Sequence, residues 1–361
     1  MISEGIPITG MGLVTSVGRS VAASCAAIRA GVSRPHPLHF SYMDEDTLED
    51  VPVVGHPVRG YTDGFVLAGC WLRLAQGCLL DLCATTPLPP PSDIAFWDRT
   101  ALIAALPPIQ SARFQNEDGD PEAVREALLA PLRRRTGLAV RDVHVGMVSL
   151  GHVSTIQAIS MAARELERRV VDRVLLVAVD SLLDPLTLEW LAASSRLKSD
   201  EAPLGLDPGE AAACLMLETE TSAQRRGARI QARVATAGVL MGVAPLGGVE
   251  PDTGKALTDC IRDAIGAERG FSGDVISDLN GEYWRAQQWG TAQPRLRSQM
   301  GAHPLHIPAT SIGDTGAASG ALGICYAAQL FAQRVACSRT ALVLSSSDDG
   351  HVACAVVRGA S

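Results

Sequence analysis

The chain has 361 residues, enough for one large domain or two closely packed halves, and 47% of them are hydrophobic. Its formal net charge of −8 argues against a partner such as nucleic acid or an anionic membrane. The nine cysteines include no CxxC pair, which argues against a disulfide framework and a zinc site. We expect no cofactor and no metal.

The beginning of the chain, MISEGIPITGMG, lacks a basic stretch followed by a long apolar segment, so we expect no signal peptide. No apolar run in the sequence reaches the roughly 20 residues that cross a bilayer. We therefore expect a soluble protein of the reducing cytoplasm that does not contact a membrane.

Short apolar runs alternate with Ala-rich helical stretches, a pattern typical of α/β proteins with buried strands. We predict a strand over Ile6–Thr9, a turn over Gly10–Gly12 and a helix over Ser20–Ala30. Apolar residues at helical spacing then predict a helix over Thr155–Val170. Val174–Val179 is apolar throughout, which indicates a buried strand.

Residues 35–145 give no clear strand order, although we expect Trp71, Phe96 and Trp97 to be core residues. Ala212–Leu217 and Ile230–Thr236 are predicted to pair as strands around the short connection 225–227. The remaining predicted elements are a strand at Val275–Leu279, a helix at Ala317–Val335, and a hairpin of Thr340–Ser345 with Ala353–Arg358.

Four segments rich in small residues occur in an order that resembles the β-ketoacyl synthases of fatty-acid and polyketide assembly. They are Ile8–Gly12, Asp172–Asp180 (DRVLLVAVD), Gly209–Ala213 with Arg226-Gly227-Ala228 downstream, and Gly313 with Ala318, Gly320 and Ala321. The resemblance implies an α/β protein with the thiolase-like fold, in which two similar halves form a layered αβαβα sandwich. We place these halves at residues 1–225 and 226–361.

The resemblance also implies a homodimer. In the family, the helix that follows the nucleophile and the strand before it lie near the two-fold axis. We therefore expect Val145–Leu150 and the Thr155–Val170 helix to lie at or near the interface.

The family's catalytic Cys-His-His set falls on His152, Asn280 and Asp314, so none of the three residues is retained. Condensation needs a thiolate to hold the acyl chain and donors to stabilise the developing negative charge. Since no cysteine lies between Cys83 and Cys214, shifting the alignment by a few residues cannot restore the nucleophile. The sequence therefore predicts that ordinary condensation is lost.

Other positions of the implied site are also altered. Glu282 and Trp284 stand where the family has threonines that hold a pantetheine arm, and Ala309 replaces a lysine. Residues 345–350 (SSSDDG) replace a glycine-phenylalanine gate. An ionised Asp314 would repel a malonyl carboxylate or an enolate. These changes disfavour an acyl-carrier substrate.

Three functions remain open. The first is a non-catalytic adaptor or scaffold, similar to thiolase-like accessory proteins of type VI secretion clusters, with a secretion spike or effector component as partner. The second is an acyltransferase or hydrolase in which His152 and Asp314 act as base and orienting group, with Ser154 as a nucleophile. The third is an inactive partner subunit of a ketosynthase, similar to chain-length factors.

The same residues also have a purely structural interpretation. In that interpretation His152 is a buried polar side chain that is satisfied by Asp314, and Ser154 or Thr155 is a helix cap.

Overall fold

The computed structural model describes residues 5–43, 48–115, 120–199, 203–245, 252–266 and 270–360. The strands in this part are β1 (Ile6–Thr15), β2 (His36–Met43), β3 (Asp50–Gly55), β4 (Thr100–Leu106), β5 (Val145–Ser149), β6 (Arg173–Ser181), β7 (Glu210–Glu218), β8 (Ala232–Met241), β9 (Asp274–Ile276), β10 (Leu305–His306), β11 (Thr340–Ser346) and β12 (His351–Gly359). The α-helices are α1 (Val21–Arg29), α2 (Leu67–Thr85), α3 (Ile94–Trp97), α4 (Pro121–Val124), α5 (Ala130–Thr136), α6 (Ser154–Glu167), α7 (Pro185–Ala193), α8 (Glu220–Arg225), α9 (Lys255–Ile265), α10 (Tyr283–Leu296), α11 (Ala309–Ile312) and α12 (Ser319–Ala332).

Ten strands form one mixed sheet in the order β10-β9-β11-β12-β8-β1-β7-β6-β4-β5, and β2 pairs with β3 in a separate ribbon. The sheet consists of two sets of five strands: β1 with β4–β7, and β8–β12. When the strands of each set are numbered 1 to 5 along the chain, both sets have the order 3-2-4-5-1 from the outer edge of the sheet to its centre. The two sets join where β1 pairs with β8 over Ile6–Ile8. The predicted fold class, an α/β protein of two similar halves, is therefore confirmed. The boundary after residue 225 stays a prediction.

Successive side chains of the strands enter different cores because they point to opposite faces of the sheet. On β6, Val174 and Leu176 pack in a central core with residues of α1, α6 and α12. The alternate residues Leu175 and Val177 pack in an outer core with residues of α2 and α5. In the second half the outer core is covered by α9 and α10. The arrangement is a five-layer αβαβα sandwich.

The predicted turn at Gly10–Gly12 is wrong, because β1 continues through these residues to Thr15. The glycines serve the packing of α2 on the strand. A Cβ atom at Gly12 would lie only 1.8 Å from the carbonyl oxygen of Cys78 in α2. The glycines that predicted a turn are therefore present because the helix and the strand approach each other closely.

The predicted pairing of the strands before and after the connection 225–227 is also wrong. β7 and β8 both run antiparallel to β1, which lies between them. The helices at 20–30 and 155–170, the strand at 174–179 and the closing hairpin are confirmed as α1, α6, β6 and β11–β12. The strand predicted at 275–279 is shorter, and the helix predicted at 317–335 begins with a 3-10 turn at Gly316–Ala318.

Helix α2 is, by length and composition, apolar enough to cross a membrane, which corrects the expectation that no such run exists. In this structure α2 packs against β1, β6 and β7. Its Trp71 is 4% exposed, and the nearby Phe96 and Trp97 are 7% and 2% exposed. The expectation that these three aromatic residues belong to the core is confirmed.

We predict that Gly12→Ala lowers the free energy of unfolding by about 1–3 kcal/mol or more, because the added methyl group must displace the backbone of α2. The matched control is Gly238→Ala in β8, where no atom lies within 4 Å of the added Cβ. Urea unfolding of both variants measures the difference. Equal unfolding free energies for the two variants would show that α2 does not constrain position 12.

We predict a homodimer formed along β5, which pairs only with β4 and forms one edge of the sheet. Open edges tend to pair with another chain. Light scattering should give twice the chain mass of 37.9 kDa. Met147→Glu in β5 should give the monomer mass, whereas Met241→Glu at the exposed end of β8 should not. A monomeric wild-type protein at micromolar concentration would refute the interface.

Candidate functional site

The three residues predicted from the sequence lie together. His152 belongs to the 3-10 turn Gly151–Val153 before α6, Asp314 precedes the turn before α12, and Asn280 follows β9. Nε2 of His152 lies 2.8 Å from Oδ1 of Asp314, and Nδ2 of Asn280 donates to Oδ2 of Asp314 at 2.7 Å. The interpretation of His152 as a buried side chain that is satisfied by Asp314 agrees with this geometry.

The backbone of Asp314 is fixed by the segment that precedes β7. Its amide donates to the carbonyl oxygen of Asp207 at 2.8 Å, and its own carbonyl oxygen accepts from the amide of Gly209 at 2.9 Å. A Cβ atom at Gly209 would lie 2.2 Å from the carbonyl oxygen of Ile312. Glycine at position 209 is therefore required by the close approach of these two segments.

Arg285 of α10 fills the space beside His152. Its Nη2 lies 3.2 Å from Nδ1 and 3.3 Å from Nε2 of the His152 ring. Its Nη1 donates to Oδ2 of Asp278 at 2.7 Å and to the carbonyl oxygen of Ser346 at 2.6 Å. The side chain of Arg285 is only 1% exposed. The arginine thus occupies the centre of the site rather than its rim.

A second arginine closes the cluster on the other side. Nε of Arg196 donates to Oε1 of Glu282 at 2.6 Å, and its Nη1 donates to Oδ2 of Asp348 at 2.8 Å. Asn280 links the two sides, since its Nδ2 also donates to Oε2 of Glu282 at 2.9 Å. We call the whole set the buried network: His152, Arg196, Asp278, Asn280, Glu282, Arg285, Asp314 and Asp348.

Sequence reasoning missed the role of Arg196 and Arg285. Neither arginine belongs to a motif with its own spacing. Glu282 was expected to disfavour an acyl-carrier substrate; in the structure it is 3% exposed and bound by Arg196 and Asn280. Trp284 is half-buried, and its ring stacks on the guanidinium of Arg285 at 4.3 Å. In the sequence, the one feature that could have indicated the role of Arg285 is its position directly after the Asn280–Trp284 segment.

The charges of the buried network nearly balance. Its four carboxylates face two guanidinium groups and His152, so the sum is −1 when His152 is protonated and −2 when it is neutral. Burial and Arg285 lower the pKa of His152, but Asp314 and its hydrogen bond raise it by more, so the pKa lies above its ordinary value. The protonated form of His152 is therefore favoured.

The pKa of the Asp314 carboxyl group is shifted in the opposite direction from that of His152, downward. Burial raises its pKa, but His152, Arg285 and the amide of Gly316 lower it by more. The pKa of Asp314 is therefore held well below its usual range. Burial raises the pKa of Asp278, against the opposing effect of Arg285 and His152. The pKa shifts of His152 and Asp314 have the directions expected when the two groups stabilise each other's charged forms.

Little free space remains at the site. A cavity of about 20 Å³ lies against Asp278, Ala309 and Asp314, room for roughly one water molecule. The hydroxyl of Ser319 points to the same region and has no hydrogen-bond partner in the described part of the chain. One water would satisfy this hydroxyl, but the cavity has no room for an acyl chain.

Ser154 and Thr155 have other roles than those predicted. The hydroxyl of Ser154 donates to the carbonyl oxygen of Leu106 at 2.8 Å and accepts from the amide of Leu150 at 2.7 Å. Thr155 donates to the carbonyl oxygen of Ala317. Neither side chain caps α6, so the prediction of a helix cap is wrong. Ser154 is completely buried, and its hydroxyl joins the ends of β4 and β5.

Comparisons with known proteins place the fold but not the function. No family model and no curated protein match the chain. Among solved structures, one chain of a complex between a type II polyketide synthase acyl carrier protein and its ketosynthase matches with a TM-score of 0.74 and 18% identity, over 99% of this chain and 100% of that one. The ishigamide ketosynthase/chain length factor matches with a TM-score of 0.75, 18% identity and the same coverage.

A β-ketoacyl synthase from Burkholderia phymatum STM815 matches with a TM-score of 0.69 and 16% identity, over 99% of this chain and 100% of that chain. Likeness at such low identity shows the fold alone. The chain therefore has the thiolase-like fold that ketosynthases and chain length factors share.

We predict that His152→Gln lowers the free energy of unfolding by about 3 kcal/mol near pH 6, because Asp314 loses its partner within the fold. Because the pKa of His152 is raised in the folded state, its protonated form stabilises the fold, and this contribution is fully present below about pH 6.5. The contribution is lost as the pH rises through the folded-state pKa, where the ring loses its proton. The loss, measured by urea unfolding, should therefore shrink as the pH rises above about 6.5. The control variant is His39→Gln, which makes the same change at an exposed histidine.

A constant loss across this pH range would show that His152 contributes without its charge. The lowered pKa of Asp314 acts at the other end of the range, since its contribution is present above about pH 4 and is lost as the pH falls. Asp314→Asn should therefore reduce stability near neutral pH far more than in strong acid.

Proposed function

We propose that this protein is a non-catalytic, ketosynthase-like protein that acts as an adaptor or scaffold by binding another protein. One observation carries the proposal. The place where the resemblance puts the nucleophile and its two partners is filled by the buried network, and only about 20 Å³ remains free beside it. A condensing enzyme must admit an acyl chain and a second substrate to this place.

The hydrolase and acyltransferase alternative is weaker on chemical grounds. A general base needs a neutral imidazole with a nitrogen that faces the substrate. Nε2 of His152 contacts Asp314, and both ring nitrogens lie within 3.3 Å of Arg285. The raised pKa of His152 also favours the imidazolium, which cannot accept a proton.

The proposed setting follows from the resemblance to thiolase-like accessory proteins of type VI secretion clusters. The partner is then a secretion spike or effector component, and the protein acts in the cytoplasm as a homodimer while the effector is loaded. A binding role is compatible with a filled site, because protein recognition uses the surface and needs no open pocket.

A second candidate is an inactive partner subunit of a ketosynthase. The match to a structure named as a ketosynthase/chain length factor favours it. In this alternative the open edge of β5 pairs with the ketosynthase instead of with a second copy of this chain. The two candidates differ in the partner and agree that this chain performs no condensation.

We predict that the wild-type protein stays unmodified, by intact-mass spectrometry, after incubation with acyl and malonyl carrier proteins, and that thioester levels stay constant. His152→Cys should remain unmodified too, because Arg285 and Asp314 leave no room for the acyl group. An active ketosynthase serves as the positive control. An acyl adduct on either form, or thioester loss that His152→Ala abolishes, would overturn the non-catalytic proposal.

Co-purification distinguishes the two candidates. The tagged protein is produced together with the products of neighbouring genes, including any secretion spike or effector, and separately with a ketosynthase. The adaptor proposal predicts a stable complex with a spike or effector component that Met147→Glu leaves intact. A complex with the ketosynthase that Met147→Glu disrupts would instead support the partner-subunit alternative.

A further inference from the structure

Two adjoining cavities lie beside the β2–β3 ribbon, and no residue of the buried network lines either of them. The first, which we call the arginine pocket, has a volume of about 780 Å³ and is lined by Arg19, Arg34 and Arg59. The second, which we call the apolar groove, has a volume of about 570 Å³. The two cavities share Arg59 and His36 in their linings.

The arginine pocket carries positive charge on a chain whose net charge is −8. Neither Arg34 nor Arg59 forms an ion pair with a carboxylate of the described residues through its side chain. Arg19 donates to the carbonyl oxygen of Arg59 at 3.0 Å and stacks on the Tyr61 ring at 5.0 Å. Unpaired guanidinium groups around one concave site are the usual recognition elements for phosphate and carboxylate groups.

Two further features bear on the binding of an anion. The hydroxyl of Ser16, which also lines the pocket, is buried and has no partner in the described part of the chain, so it is available as a donor. Asp63 is the one carboxylate in the lining, and its Oδ2 accepts from the amide of Gly60 at 3.0 Å. Three cations therefore face one anion that already has a donor.

The apolar groove is suited to a hydrocarbon chain. Its walls include Leu38 and Phe40 of β2, Leu188 of α7, and Phe65 and Val66 at the rim. Phe65 is 46% exposed and Val66 is 59% exposed, which is unusual for such large apolar side chains.

The backbone at the rim is strained as well. Leu67 has a φ of 47°, a left-handed conformation that is rare for leucine. This residue turns the chain into α2 directly after Phe65 and Val66. A strained backbone that holds apolar side chains at the surface is typical of binding sites.

Three carboxylates line the groove, Asp63, Asp184 and Glu210. Each already accepts a hydrogen bond, as described above for Asp63. Glu210 is 2% exposed and accepts from the amide of Val58 at 2.7 Å and from the hydroxyl of Ser181 at 2.9 Å. Asp184 is 5% exposed and accepts from the amide of Thr187 at 3.0 Å.

We propose that these cavities together bind a single-chain amphiphile with an anionic head group. The head lies among Arg19, Arg34 and Arg59, and the hydrocarbon chain lies in the apolar groove. The two volumes fall within the range of small-molecule sites. This site is separate from the buried network and does not depend on the proposed function.

Titration calorimetry below the critical micelle concentration tests the proposal with octyl phosphate, octanoate, inorganic phosphate and the neutral octyl glucoside. We expect octyl phosphate to bind more tightly than inorganic phosphate, and octyl glucoside not to bind. Arg34→Gln and Arg59→Gln should each weaken octyl phosphate binding by about tenfold. The exposed Arg134, outside both cavities, gives the matched control Arg134→Gln.

A separate variant tests whether the apolar groove binds the hydrocarbon chain of the ligand. Phe65→Ser should weaken the binding of octyl phosphate and leave that of inorganic phosphate unchanged, whereas Ile94→Ser, at a more exposed apolar position outside both cavities, should change neither. The octanoate arm decides whether the natural head group is a carboxylate or a phosphate. Equal binding of octyl glucoside, or Arg34→Gln and Arg59→Gln variants that bind like Arg134→Gln, would overturn the proposal.

Discussion

The relative position of the two halves of this protein is constrained by one buried contact, that of His152 with Asp314 beside Arg285. The groups of the buried network come from both halves of the chain. His152 and Arg196 belong to the first half of the sheet order, and Arg285 and Asp314 to the second. Charges buried this deeply are tolerated only when each has a partner. Any displacement of one half against the other would separate such partners, so the network holds the two halves in one relative position.

The central helices explain why the network can form at this point. α6 and α12 both lie in the central core, and each begins with a 3-10 turn that brings its first residues to the site. A second buried pair supports the same junction, since Arg113 donates to Oδ1 of Asp180 at 2.7 Å. Oδ2 of Asp180 accepts in turn from the amide of Ala317, next to the turn before α12. The buried network therefore joins the beginnings of α6 and α12, and the Arg113–Asp180 pair joins β6 to the same end of α12.

In the proposed non-catalytic role, the same network accounts for the difference between this site and a catalytic one. Catalytic groups work because some of their charge or hydrogen-bonding capacity is left for the substrate. Here the acceptors of Asp314 are taken by His152, Asn280 and the amide of Gly316. Guanidinium groups without a carboxylate partner among the described residues lie instead in the arginine pocket beside the β2–β3 ribbon. Under our proposal, binding therefore takes place away from the site that the resemblance emphasises.

The sequence by itself determined the fold class and most helices and strands, because hydrophobic periodicity is a local property. It also predicted, through the resemblance, that the Cys-His-His set is absent. It also predicted the contact of His152 with Asp314. The turn predicted at Gly10–Gly12 was wrong, because glycine occurs both in turns and where a helix packs closely on a strand. The sequence alone does not distinguish these two cases. Only the tertiary structure decided that β1 separates β7 from β8 and that Arg196 and Arg285 fill the site. Both depend on contacts between residues far apart in the chain, and no local pattern encodes such contacts.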